Sequence, residues 1–165
     1  MKLTDYLAIY GAALSTAVFI WNTSRARPKI KVRIAFAVDT IDGVTDHGIG
    51  VSVQNPSAHT AHITSVSFVY PWRRTTVRER FEHLVRFKRL PFRIGWCHSV
   101  LSNYSVDDRC PTSIEPGKSH WIFVPDAVLQ QLLDDAIKRT FVVQVQDALW
   151  RNKTSKPFAY DVPKK

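Results

Sequence analysis

From residue 30 onward, hydrophobic and polar positions alternate with a period of two. In KIKVRIAFAV, Ile30, Val32, Ile34, Phe36 and Val38 fall on one side and basic or small residues on the other, which predicts a strand with one buried face. DGVTDHG supplies turn residues, IGVSVQN predicts a second strand, and NPS closes it. AHITSVSFVYP predicts a third, with Ile63, Val66, Phe68 and Tyr70 in its apolar run. SHWIFVP, FVVQVQDALW and KPFAYDV are rich in β-branched and aromatic residues and read as further strands. About six strands, with turn signals at NPSAHT and EPGKS, predict a mainly β chain folded as an immunoglobulin-like antiparallel β-sandwich.

Two stretches change the period to that of a helix. PDAVLQQLLDDAIKR opens on Pro125 and Asp126 and aligns Leu129, Leu132, Leu133, Ala136 and Ile137 on one face. It closes on Lys138 and Arg139, which suit the negative end of a helix. RERFEHLVRFKRLPFRIGW predicts a helix from roughly Thr76 to Leu90, ended by Pro91. On it Val77, Phe81, Leu84 and Val85 form an apolar stripe, widened by Phe87 and Leu90, and basic residues take the remaining surface.

The N-terminal stretch carries no charge from Tyr6 to Ser24. Counted from Leu3 to Trp21 it would be a helix of roughly 28 Å at about 1.5 Å per residue, close to the hydrocarbon thickness of about 30 Å. Tyr6 and Tyr10 at one end and Trp21 at the other fit the two interfaces, so the stretch is expected to be an uncleaved transmembrane anchor. Arg25, Arg27, Lys29 and Lys31 on its C-terminal flank place that side in the cytoplasm. The expected organisation is an anchor at 1–24, a basic juxtamembrane linker at 25–29, and a cytosolic β-sandwich at 30–163 with a basic insertion at 73–96. The protein would then sit in the inner membrane as a single-pass chain with its N-terminus outside. Ala8, Gly11, Ala12 and Ser15 recur at three- and four-residue spacing and would let a second helix approach in the membrane.

Composition fixes the size and the charge. A chain of 165 residues, 45% hydrophobic and 12% aromatic, has room for one ordinary core and is not disordered. Its net charge of +9 is concentrated in two segments. One holds Arg25, Arg27, Lys29, Lys31 and Arg33, with no acid between Asp5 and Asp39. The other holds Arg73, Arg74, Arg78, Arg80, Arg86, Lys88, Arg89 and Arg93 against only Glu79 and Glu82. Patches of this kind suit polyanion surfaces, either phosphate backbones or anionic lipid. With Arg25, Arg27 and Lys29 beside the anchor, anionic lipid is the favoured partner of the second patch, and nucleic acid is disfavoured because no binding motif accompanies the charges.

Chemistry is sparse. His59 and His62 form H-x-x-H without a third ligand, and Cys97, His98 and Cys110 lack the C-x-x-C pairs of a zinc site, so no metal or cofactor is expected. Cys97 with His98 and Asp107 or Asp108 could be arranged as a nucleophile, base and acid only if the fold brought them together. No phosphate-cradling glycine loop is present.

GVSVQNPSAHTAHITSVSF, SIEPGKSHWIFVP and TFVVQVQDALWRNKTSKPF resemble a group of small bacterial proteins that carry an immunoglobulin-like domain after one N-terminal span. The resemblance covers roughly residues 48–70 and 113–158; it implies fold and attachment, and no activity. The expected function is a non-enzymatic membrane accessory or adaptor protein that binds a membrane-associated protein or a second copy of itself, with no small-molecule substrate. The alternatives are a membrane-tethered nucleic-acid-binding module and a small Cys/His hydrolase.

Overall fold

The computed structural model describes residues 3–25, 29–41, 44–88 and 93–160. In chain order the elements are α1 (Leu3–Arg25), β1 (Lys31–Ile41), β2 (Val44–Gln54), β3 (Ala61–Pro71), α2 (Val77–Phe87), β4 (Trp96–Val100), β5 (Thr112–Ile114), β6 (Ser119–Pro125), α3 (Asp126–Leu133), β7 (Thr140–Asp147), β8 (Asn152–Thr154) and β9 (Phe158–Ala159). The strands form two antiparallel sheets, one ordered β1-β2-β6 and the other β4-β3-β7-β8, with β5 paired to β3 and β9 to β7.

Alternation along the strands builds the core. On β2, Ile49, Val51 and Val53 are fully buried; across from them β3 contributes Val66 and Phe68, and β7 contributes Phe141, Val143 and Val145. Phe68 and Phe141 meet at 4.9 Å between ring centroids in a tilted geometry favourable to aromatic pairs. Each fully buried aromatic of this kind stabilises the fold by about 1.5–3 kcal/mol. Leu129, Leu132 and Leu133 of α3 seal one end of this core.

The expected transmembrane anchor is corrected. No helix among the described residues is long and apolar enough to cross a membrane. Freedom from charge is not enough, because a span needs a nearly continuous apolar run. In α1 that run is diluted by Tyr6, Tyr10, Gly11, Ser15, Thr16, Asn22 and Thr23, and Asp5 lies in its first turn. The single-pass topology, the inner-membrane placement and the cytosolic orientation drawn from the flanking arginines and lysines fall with it. Among the described residues the chain is mainly β, with two sheets and three α-helices.

Other boundaries shift for local reasons. VTDHG, expected as a turn, belongs to β2, because β1 and β2 stay paired as far as Ile41 opposite Val44. α3 ends at Leu133 rather than continuing to Arg139. The Ile137 amide instead donates to the Pro71 carbonyl at 3.0 Å, which draws the chain away toward β7.

Asn55, at the end of β2, is buried and uses both ends of its amide. Its Nδ2 donates to the carbonyls of Ile114 at 2.7 Å and His59 at 2.8 Å, and its Oδ1 accepts from the Ser57 amide and hydroxyl. The Asn55 backbone exchanges bonds with Lys118 and Gly117. Asn55 thus ties the end of β2 to the loop that follows it and to β5 through its side chain, and to the turn before β6 through its backbone.

Candidate docking surface around the basic helix

The entry to α2 is fixed by a glycine. The amides of Trp72 and Arg73 both donate to the Gly95 carbonyl at 2.9 Å, holding the end of β3 against the start of β4. Gly95 has φ +78°, and a Cβ there would meet the Arg73 carbonyl oxygen at 2.5 Å. We expect Gly95→Ala to cost about 1–3 kcal/mol, since it combines a left-handed backbone with a backbone collision. Urea unfolding measures this, and a loss below about 0.5 kcal/mol would contradict it.

Thr76 then starts the helix with a capping box. Its hydroxyl accepts from the Glu79 amide, and the Glu79 carboxylate accepts from the Thr76 amide, both at 3.3 Å. The helix ends at Lys88, which adopts a left-handed conformation and donates its amide to the Leu84 carbonyl. Pro91, the stop read from the sequence, lies outside the described residues, as do Arg89 and Leu90.

An amphipathic helix normally turns its apolar face to the core, and α2 does the opposite. No residue of α2 is buried. Val77 is 84% exposed, Phe81 65%, Val85 63% and Phe87 55%, whereas the side chains drawn partly under are Glu79 and His83. His83 packs against Phe87 at 4.7 Å between rings, and its Nδ1 is buried with no hydrogen-bond partner among the described residues. The apolar stripe foreseen in the sequence is therefore real and faces away from the protein.

Basic groups surround this face. Arg78 is held by Glu82 one turn on, at 2.8 Å, and Arg73 pairs with Glu79 at 3.6 Å. Arg80 donates to Thr75, Arg86 lies over the Phe87 ring, and Arg93 sits between Thr154 and the Trp96 ring. Arg74 and Lys88 are exposed and form no ion pair among the described residues. Beside the start of α2 opens a groove of about 670 Å³, with Arg73, Arg74, Arg80 and Lys138 on its walls and Trp96 and Ile137 below. Lys138 belongs to this cluster only because β7 runs beside β3, a pairing that no local pattern reveals.

The remaining expected site residues lie apart. Lys29 is exposed ahead of β1; Arg25 closes α1, and Arg27 lies outside the described residues. Ala8, Gly11, Ala12 and Ser15 are exposed on α1, with nothing within 4 Å of a Cβ built on Gly11.

Cys97 and His98 are neighbours on β4, so strand alternation sends them to opposite faces. Cys97 pairs with Tyr70 on the core side and His98 with Val69 on the other. Asp107 pairs with Arg109, and Asp108 is buried, accepting from the Cys110 amide. The nucleophile, base and acid considered from sequence are therefore not assembled. His62 is occupied by the Ser113 hydroxyl at 2.7 Å, and no group of three metal-ligating side chains occurs among the described residues.

Burial first, and then the charge of Asp108, push the Cys110 thiol up to about 12. At pH 8 its thiolate fraction is then about 10⁻⁴, against roughly a quarter for an ordinary thiol. In the folded protein Cys110 should react with iodoacetamide about three orders of magnitude more slowly than after unfolding in urea. Peptide mass spectrometry reads this out, and equal rates in the two states would refute it.

Comparison with protein-family models, curated proteins and solved structures finds no match to this chain.

Proposed function

We propose that this protein is a non-enzymatic docking module that settles on an anionic lipid surface through α2 without spanning the membrane. The observation that carries this reading is the outward apolar face of α2, built from Val77, Phe81, Leu84, Val85 and Phe87. A helix of this kind, aromatic on one face and bordered by cations, fits the boundary between headgroups and acyl chains. Its side chains would lie about 5–10 Å deep while Arg74, Arg86 and Lys88 meet the phosphates. The neighbouring groove, with Arg73, Arg74, Arg80 and Lys138, has the charge to take a headgroup phosphate. A nucleic acid would satisfy the same cations and still leave Phe81 and Val85 in water, so it accounts for half of the surface.

Co-sedimentation of the full chain with phosphatidylcholine vesicles, with and without phosphatidylglycerol, tests this. Binding should require the anionic lipid and weaken as salt rises. Phe81→Ser with Val85→Ser should reduce it by about tenfold or more, given the apolar area withdrawn from the lipid. Equal binding by that variant would overturn the reading. So would an α2 face that ignores vesicles and co-purifies with an acidic protein.

A further inference from the structure

We propose that two copies of this chain pair antiparallel along β1, with Ala35 opposite Ala35, to make one continuous sheet. β1 is eleven residues long and hydrogen-bonds to β2 along one edge; its other edge has no strand beside it among the described residues. A long open edge of this kind is a template for another strand.

The core-facing side of β1 shows what is missing. Val32, Ile34, Phe36 and Val38 stand opposite Val53, Val51, Ile49 and His47 of β2. Val53, Val51 and Ile49 are fully buried, but Val32 and Ile34 are half-buried, Phe36 is 67% exposed and Val38 62% exposed. Phe36 rests on Phe158, and Phe158 on Phe141, so a row of rings runs from the core to the open edge. Between β1 and β8 lies a groove of about 690 Å³, whose apolar floor includes Val32, Ile34 and Phe158.

A second copy fills that groove residue by residue. With Ala35 on the two-fold axis, Ile34 faces the second copy's Phe36 and Val32 its Val38, so each exposed side chain lies over the other copy's half-buried floor. On the outer face, Lys31 stands opposite the second copy's Asp39, and Arg33 opposite its Ala37. In a single copy neither Lys31 nor Asp39 forms an ion pair among the described residues; the Asp39 carboxylate only accepts from the Thr40 amide. This register gives all four core-facing apolar positions, Val32, Ile34, Phe36 and Val38, an apolar neighbour and Asp39 a cation. Centring on Arg33 sets like charges against each other, and centring on Phe36 puts Val32 against Thr40. The interface is self-complementary, as a two-fold dimer requires. This pairing is independent of the lipid-binding face on α2.

Two measurements on the full chain test it. Opposed residues in an antiparallel pair lie about 4.5–5.5 Å apart at Cα, within the span a disulfide bridges. Ala35→Cys should therefore cross-link into a dimer under mild oxidation. Ala37→Cys, whose copies would lie about 13 Å apart, should give no more dimer than the wild-type chain with its own Cys97 and Cys110. In sedimentation equilibrium, Asp39→Lys should weaken the dimer at least tenfold, and Lys31→Asp added to it should restore pairing by exchanging the two charges. A monomeric wild type at tens of micromolar, equal cross-linking at 35 and 37, or a dimer unmoved by Asp39→Lys would each overturn the proposal. The last result is also the one expected if copies met through α1.

Discussion

Replacing Asn55 with alanine should lower the stability of the domain by about 2–4 kcal/mol, the largest single-site loss expected outside the apolar core. The side chain is buried and makes hydrogen bonds at both ends of its amide. Its removal leaves the Ile114 carbonyl facing a cavity, and a buried acceptor without a donor costs about 1–3 kcal/mol by itself. Asn55→Asp separates hydrogen bonding from packing, because it keeps the shape while placing an oxygen against the carbonyls of Ile114 and His59. At neutral pH we expect it to be at least as damaging as the alanine variant. Urea unfolding provides both numbers; an aspartate variant within about 0.5 kcal/mol of wild type would show that Asn55 acts by shape alone.

The second large effect concerns binding. Each basic side chain near an anionic surface contributes about 1 kcal/mol, and a glutamate in its place adds repulsion. Arg74→Glu with Arg86→Glu should therefore weaken binding to phosphatidylglycerol vesicles by at least about thirtyfold, which corresponds to roughly 2 kcal/mol. These two residues are chosen because neither takes part in the hydrogen bonds that hold α2 in place, which run through Gly95, Thr76, Glu79 and Lys88. The variant should unfold at the same urea concentration as wild type. A thirtyfold loss accompanied by a shifted midpoint would point to damage to the fold and not to lost attraction, and unchanged binding would remove the charges from the account.

The long strands were legible because β2 and β6 alternate and β3 and β7 are rich in β-branched and aromatic residues. β1 alternates as well, but the face read as buried is only half-buried at Val32 and Ile34 and exposed at Phe36 and Val38, because no strand lies along its outer edge among the described residues. β4 escaped because WCHSV does not alternate and lies behind a basic stretch that draws attention to charge. β5 and β8 are three residues each, TSI and NKT, and exist as strands only because β3 and β7 supply their hydrogen-bond partners. No local pattern can show that. The N-terminal stretch looks like a span because it carries no charge, and it is not one because Tyr, Gly, Ser, Thr and Asn residues dilute its apolar run.

The candidate site was half legible. A helical wheel of residues 77–87 displays the apolar stripe and its cationic border, but not which side looks outward. That is decided by the Gly95 carbonyl, which grips Trp72 and Arg73, and by His83 and Glu79 lying partly beneath the helix. Asn55 gave even less warning, since its decisive partner, Ile114, is far along the chain.

The outward face of α2 is most directly tested by an environment-sensitive fluorophore attached to single cysteines at positions 85 and 82, in a chain whose own Cys97 and Cys110 are replaced by serine. On addition of phosphatidylglycerol vesicles, the label on Val85→Cys should shift to the blue and that on Glu82→Cys should stay at its aqueous wavelength, with both effects reversed by high salt. A shift at position 82 without one at 85, or no shift at either, would contradict the account.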